Sequence, residues 1–286
     1  MHGRFEWICE LSLNLARSLL YNGMIRMTIF LLFATLPFVV VGQNDAANKV
    51  TRLPPAFAPG ETLTYRFHYG LLDAAEATIT VNGSKKHHDW IIDAKGKSTG
   101  AFSWFFKVDD HYQSRICPAS GFPVHFKRDI KEGGYELHQD YAFDQSAGKV
   151  DATSFKRKKS PQNSEHFFNE PMHDMVSGIY ALRHIAFDSL AIGDTVSVPI
   201  FMDEEGFQLK AVFAGNEAVK WKGQQRSCAL IHPVIQTGRI WKNPDDLSVY
   251  ITNDVNRIPI LAETRILFGS IKMELTNASG LRSPLE

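Results

Sequence analysis

The sequence predicts a mainly β protein: an antiparallel curved sheet, as an open barrel or sandwich, with one helix packed near residues 172–187. Three observations predict it. Apolar and polar residues alternate with period two through most of the chain after residue 60, as half-buried strands require. Turn signals separate the alternating runs at short intervals. Only one segment carries a helical period, which excludes a parallel sheet built from strand–helix–strand units.

The elements follow in chain order. "ETLTYRFHYG" sets Leu63, Tyr65, Phe67 and Tyr69 on one face and Thr62, Thr64, Arg66 and His68 on the other. The same alternation recurs through Ala75, Ala77, Ile79 and Val81, then Tyr135, Leu137, Gln139 and Tyr141. It returns in Val196, Val198 and Ile200, and in Phe207, Leu209, Ala211 and Phe213. Asn82-Gly83, Gly121, Gly133-Gly134, Gly193-Asp194 and Asn216 punctuate these runs. In "PMHDMVSGIYALRHIAF", Met172, Met175, Val176, Ile179, Leu182 and Ala186 share one helical face behind Pro171, an apolar stripe that covers the sheet. "WKNPDDLSVYITNDVNRIPI" reads as turn, strand and second turn, with Leu247, Val249 and Ile251 alternating. In "RILFGSIKMEL", Gly269 interrupts a strand and predicts a bulge. Bulges and bends let a sheet curl around a volume.

The first 42 residues read as a leader and export signal. From Met24 the chain has Arg26, then an apolar run from about Ile29 to Val41, shorter than the roughly 20 residues of a membrane span. The sequence before Met24 is long for such a signal, which places the start of translation at Met24 or Met27. Residues 43–58 form a linker, and residues 59–280 a single β-rich domain with a polar linker near 157–171. The expected location is outside the cytoplasm, in the periplasm, at the outer membrane or secreted, with no membrane span in the mature chain. The 31 basic and 31 acidic residues balance, and Lys156 to Lys159 form a single short basic run, so nucleic acid is not an expected partner. Beyond residue 42 two cysteines remain, Cys117 and Cys228; an oxidising compartment permits one disulfide between them, but the spacing does not show that they meet, and free buried thiols are the favoured reading.

Candidate chemistry concentrates in "KGKSTGAFSWFFKVDDHYQS". Gly96-Lys97-Ser98-Thr99-Gly100 satisfies the pattern of a serine nucleophile on a tight turn, but Ser98 follows antiparallel strands instead of the strand–helix units that turn serves. The histidines are scattered without metal-ligand spacing, and no cofactor or metal is expected. Asp109, Asp110, Asp129, Glu132 and Glu136 sit on neighbouring strands, where a carboxylate pair would suit glycoside hydrolysis. Phe102, Trp104, Phe105 and Phe106 read as a compact turn or short helix whose rings plug one end of the sheet or wall a pocket. Trp90, Phe102, Trp104, Phe105, Tyr112 and Trp241 are the candidate ligand-binding residues.

Together, "GETLTYRFHYG", "GKSTGAFSWFFKVDDHYQS", "EGGYELHQDY", "DMVSGIYALR" and the run from "QTGRIWKNPDDL" to "GSIKMEL" resemble the bacterial domain of unknown function 3108 family, from about Gly60 to Leu275. The resemblance implies an exported, β-rich envelope protein of Gram-negative bacteria and transfers no catalytic residues. The expected function is non-catalytic: a curved sheet that holds an apolar or amphipathic ligand, with a lipid, glycan or envelope component as partner. The alternative is an envelope hydrolase acting on glycan or ester. A buried Ser, His and Asp in mutual contact would overturn the non-catalytic reading.

Overall fold

A computed structural model of the chain describes residues 55–234, 246–266 and 269–285. The predicted leader and export signal, and Trp241, lie outside the described residues. The alternating runs form antiparallel strands that pair into one sheet. Eight come first: β1 (Thr62–Tyr69), β2 (Leu72–Gly83), β3 (Trp90–Ser98), β4 (Asp109–Ile116), β5 (Pro123–Glu132), β6 (Tyr135–Asp144), β7 (Lys149–Lys156) and β8 (Gln162–Phe167). Each pairs with its predecessor, so the meander walks outward from β1 to an edge at β8. The chain then crosses through helix α2 (Met175–Leu182) to the opposite edge and walks back through six more strands. These are β9 (Thr195–Met202), β10 (Glu205–Trp221), β11 (Gln224–Pro233), β12 (Leu247–Thr252), β13 (Pro259–Ile266) and β14 (Gly269–Ser279). β14 pairs with β1, so the two meanders join at mid-sheet, and β8 and β9 are the outermost strands of an open, barrel-like sheet. Where the meanders join, Gly280 (φ +65°) approaches Gly60 so closely that a Cβ on Gly280 would meet the Gly60 carbonyl at 1.9 Å.

The sheet bends where its register shifts. Shifts occur at Thr64/Tyr65, Phe67/His68, Arg115/Ile116, Phe213/Gly215 and Tyr250/Ile251. Gly269 is not among them. Ile266 pairs with Gly269, so the predicted single strand is two strands of a hairpin and the glycine opens the second.

The helix is shorter than its apolar stripe suggests. Met172 and His173 lie outside it, because the His173 backbone bonds with Pro199 and Phe201 and covers the free edge of β9. Asp174 then starts the helix: its carboxylate accepts from the N–H groups of Val176 (2.8 Å) and Ser177 (2.9 Å), and the Ser177 hydroxyl closes the reciprocal box on the Asp174 N–H. Helix α2 packs against β3, β4 and β9. At Gly178 a Cβ would stand 2.1 Å from Ile200 Cδ1, so the missing side chain is what lets β9 lie against the helix.

One other expectation is corrected. The polar stretch near 157–171 contains β8, not only linker; as an outer edge strand, QNSEHF carries few buried residues on either face and so no period to read. Cys117 and Cys228 are free thiols. They sit on the end of β4 and on β11, with six strands between those two in the sheet order, so no disulfide joins them.

Candidate functional site

The sheet holds a partly open apolar cavity of about 80 Å³ between α2 and the strands flanking the β1–β14 junction. Tyr65 and Phe67 reach it from β1, Ala77 and Ile79 from β2, Val249 and Ile251 from β12, and Ala262 and Met273 from β13 and β14. Ile179, Leu182 and Arg183 close it from the helix. These are the inward positions of the alternating strands, so the pattern that makes the core also makes the cavity wall. A void of this size costs roughly 2 kcal/mol at about 24 cal/mol per Å³.

Arg183 is the charged residue in that wall, and its charge is fully engaged. Its Nη1 donates to Glu61 Oε1 at 2.6 Å and its Nη2 to Glu61 Oε2 at 2.8 Å, a two-point pair with both partners about 1% exposed. Nε and Nη2 also donate to the Asn256 carbonyl, at 3.1 and 2.9 Å. Tyr180 Oη donates to Glu61 Oε1 at 3.2 Å, and the guanidinium lies over the Tyr180 and Phe57 rings at 4.9 and 5.4 Å. Burial works against the Arg183 charge, but the bonds and charge of Glu61 outweigh it and hold its pKa above the ordinary value. The pair ties α2 to the segment before β1 and to the loop after β12, leaving the cavity itself to hydrocarbon.

The other half of the sheet, β4 to β8, sets buried polar side chains among the apolar ones of its inner face. Asp110, Tyr112 and Ser114 point inward from β4, Arg128 and Glu132 from β5, and Gln139 and Tyr141 from β6, all buried. Burial pushes the Asp110 carboxyl up to about 6, against the pull of the Lys131 N–H, the Glu132 carboxyl and the Arg128 charge. The remaining weighed carboxylates face outward in cross-strand ion pairs: Asp109 with Lys97, Asp129 with His138, and Glu136 with Arg157.

The sequence-predicted ligand residues do not converge. Trp90 is half-buried and packs edge-on against Phe57 at 5.7 Å. Tyr112 is fully buried in the polar half. Phe102 and Phe105 delimit the one-turn helix α1 (Phe102–Phe105), on which Trp104 is 87% exposed. The predicted plug therefore does not form around Trp104, and the described candidates lie outside the lining of the apolar cavity. Trp241 lies outside the described residues. Ser98 serves as a fastener: its Oγ accepts the Val108 N–H at 2.9 Å and closes the loop around α1.

A buried Ser, His and Asp do meet, at the start of α2. His173 Nδ1 lies 3.3 Å from Ser177 Oγ, and Asp174 is the residue between them in the capping box. The connections are not those of a hydrolytic relay. The Asp174 carboxylate bonds to the helix N–H groups and to Ser114 Oγ (2.5 Å) instead of orienting the imidazole, and the His173 ring stacks on Phe122 at 4.4 Å. Ser177 is 2% exposed, so its hydroxyl meets no substrate from solvent. Among the described residues no group of three or more His, Cys, Asp or Glu is placed to hold a metal ion, and no helix is long and apolar enough to cross a membrane.

The family model described as "Protein of unknown function (DUF3108)" matches residues 64–276. The chain belongs to that family. For this DUF3108 chain, the matched span runs from β1 to β14 and contains both halves of the sheet and α2. The crystal structure of a beta-barrel-like protein of domain of unknown function DUF1849 from Brucella abortus is similar to it, with a TM-score of 0.52 at 12% identity. That similarity covers 80% of this chain and 98% of the Brucella chain, and at this identity it shows the fold alone. No curated protein matches this chain.

Proposed function

We propose that the protein is an exported, non-catalytic component of the cell envelope that holds an apolar or amphipathic ligand in the cavity between α2 and the β1–β14 junction. One observation carries the reading: a hydrocarbon-lined cavity is kept inside a well-packed core, and the arginine in its wall is neutralised by Glu61. An apolar void of this kind stays dry and takes up apolar guests. At about 80 Å³ it is roughly half the size of an engineered cavity that holds benzene, so it suits a chain end or small branched group, with the remainder of the ligand outside. A few methylenes buried there contribute about 0.8 kcal/mol each. The apolar run from Ile29 to Val41 supports export.

Native mass spectrometry of the protein recovered from the envelope fraction tests the reading. A mass increment that disappears on organic extraction and returns on adding an alkyl compound is expected. Recovery from the cytoplasm alone, or hydrolysis of glycan or ester abolished by Ser98→Ala or Asp110→Asn, would overturn it.

A further inference from the structure

The outermost strands of the sheet are tied together by side chains, and the way they are tied points to a second site. β9 and β10 are joined by a two-residue turn, Asp203-Glu204, with φ of +52° and +66°. Both carboxylates reach into the polar half of the sheet, and the groups that receive them come from four successive strands. Arg128 of β5 donates its Nη2 to Asp203, and Gln139 of β6 adds Nε2 at 3.4 Å. Ser154 of β7 donates to Glu204 Oε1 at 2.7 Å, and Ser164 of β8 to Oε2 at 3.2 Å.

This arrangement is more than an edge clasp. Arg128 is only 4% exposed, and among the described residues its Nε has no hydrogen-bond partner, so this buried guanidinium keeps donor capacity beyond what the turn uses. Asp203, by contrast, is about half exposed, so the turn separates the buried guanidinium from solvent. A guanidinium paired through one nitrogen can take a two-point carboxylate. Arg128 and Gln139 receive the Asp203 carboxylate, and Ser154 and Ser164 that of Glu204, with His166 Nε2 beside them at 2.9 Å from Ser164 Oγ and 3.9 Å from Glu204 Oε2.

We propose that these donors form a second ligand site, for a small compound bearing two carboxylates, which the β9–β10 turn occupies with its own acidic side chains when that compound is absent. The site is independent of the apolar cavity, which is walled by the other half of the sheet. A tethered competitor acts at an effective concentration on the order of millimolar, so the intact protein binds free diacids weakly.

Asp203→Asn with Glu204→Gly tests this, because Asn-Gly suits a two-residue turn with positive φ and keeps the hairpin while removing both carboxylates. Titration calorimetry with malonate, succinate, glutarate and adipate should show at least one diacid binding the variant tenfold or more tightly than the intact protein. Acetate should bind at least tenfold more weakly than that diacid, and adding Ser154→Ala and Ser164→Ala should reverse the gain. Equal affinity in variant and intact protein, or equal response to acetate and chloride, would overturn the proposal. If the variant fails to fold, the amide resonances of Asp203 and Glu204 in the intact protein provide the reading. They should shift saturably with millimolar diacid and not with matched sodium chloride; unchanged resonances would overturn the proposal as well.

Discussion

Breaking the Glu61–Arg183 pair gives the sharpest test of how the cavity is framed. Glu61→Gln leaves a guanidinium about 1% exposed, with its stacking rings and the carbonyls of Asn256 and Ala56 but no counter-charge. Removing one partner of such a pair costs about 3–5 kcal/mol, a large part of a domain stability on the order of 5–15 kcal/mol. Arg183→Met should cost a similar amount, since it leaves the Glu61 carboxylate buried and the Asn256 carbonyl without its donor. Glu61→Leu with Arg183→Met removes both charges and should cost at least about 2 kcal/mol less than the two single losses added together. Urea unfolding followed by tryptophan fluorescence measures all of these. Single losses below about 1 kcal/mol, or strict additivity, would refute the reasoning.

Three further outcomes follow from the same geometry. Ala262→Leu fills part of the cavity and should raise stability by up to about 2 kcal/mol, read from the urea midpoint, whereas a loss would mean that the wall cannot take the added volume. Asp110 binds its proton more tightly folded than unfolded, so its stabilising contribution is complete below about pH 4 and is lost as pH rises through about 6. Asp110→Asn should flatten that limb of the stability–pH curve by up to about 3 kcal/mol, measured by urea unfolding between pH 4 and 7. Burial pushes the Cys228 thiol up to about 12, while bonds from the Ser120 and Ala119 backbone and the Ser120 hydroxyl hold the Cys117 thiol below its ordinary value. Iodoacetamide mapping should therefore label Cys117 and spare Cys228 until the protein unfolds.

Much of the fold is legible because a half-buried strand writes its burial into every second residue. β1, β2, β6, β9 and the first half of β10 all announce themselves this way. β8 does not, since an edge strand with polar residues on both faces has no alternation, and the start of α2 is obscured because Met172 continues the apolar stripe although it precedes the helix, while the neighbouring His173 backbone bonds to β9. The candidate site was largely hidden. Its wall takes one or two ordinary core residues from each of several strands, and Glu61 meets Arg183 across 122 positions with no local mark. The aromatic cluster at 102–106 drew attention by composition, yet Trp104 faces solvent. A readable signal did exist for the polar half: Arg128 stands between Phe126 and Ile130, and Gln139 between Leu137 and Tyr141, on faces where the alternation calls for apolar side chains. A polar residue at such a position is buried, and a buried polar residue needs a partner.

The most direct measurement is a proton–proton NOE experiment on the full chain with carbon-13-labelled dodecanol. Cross-peaks from the labelled chain end to the methyl groups of Ile179, Ile251 and Ala262, together with at least tenfold weaker binding by Ala262→Leu, are the predicted result. Dodecanol that binds without touching those methyls, or binds equally well when the cavity is filled, would contradict the account.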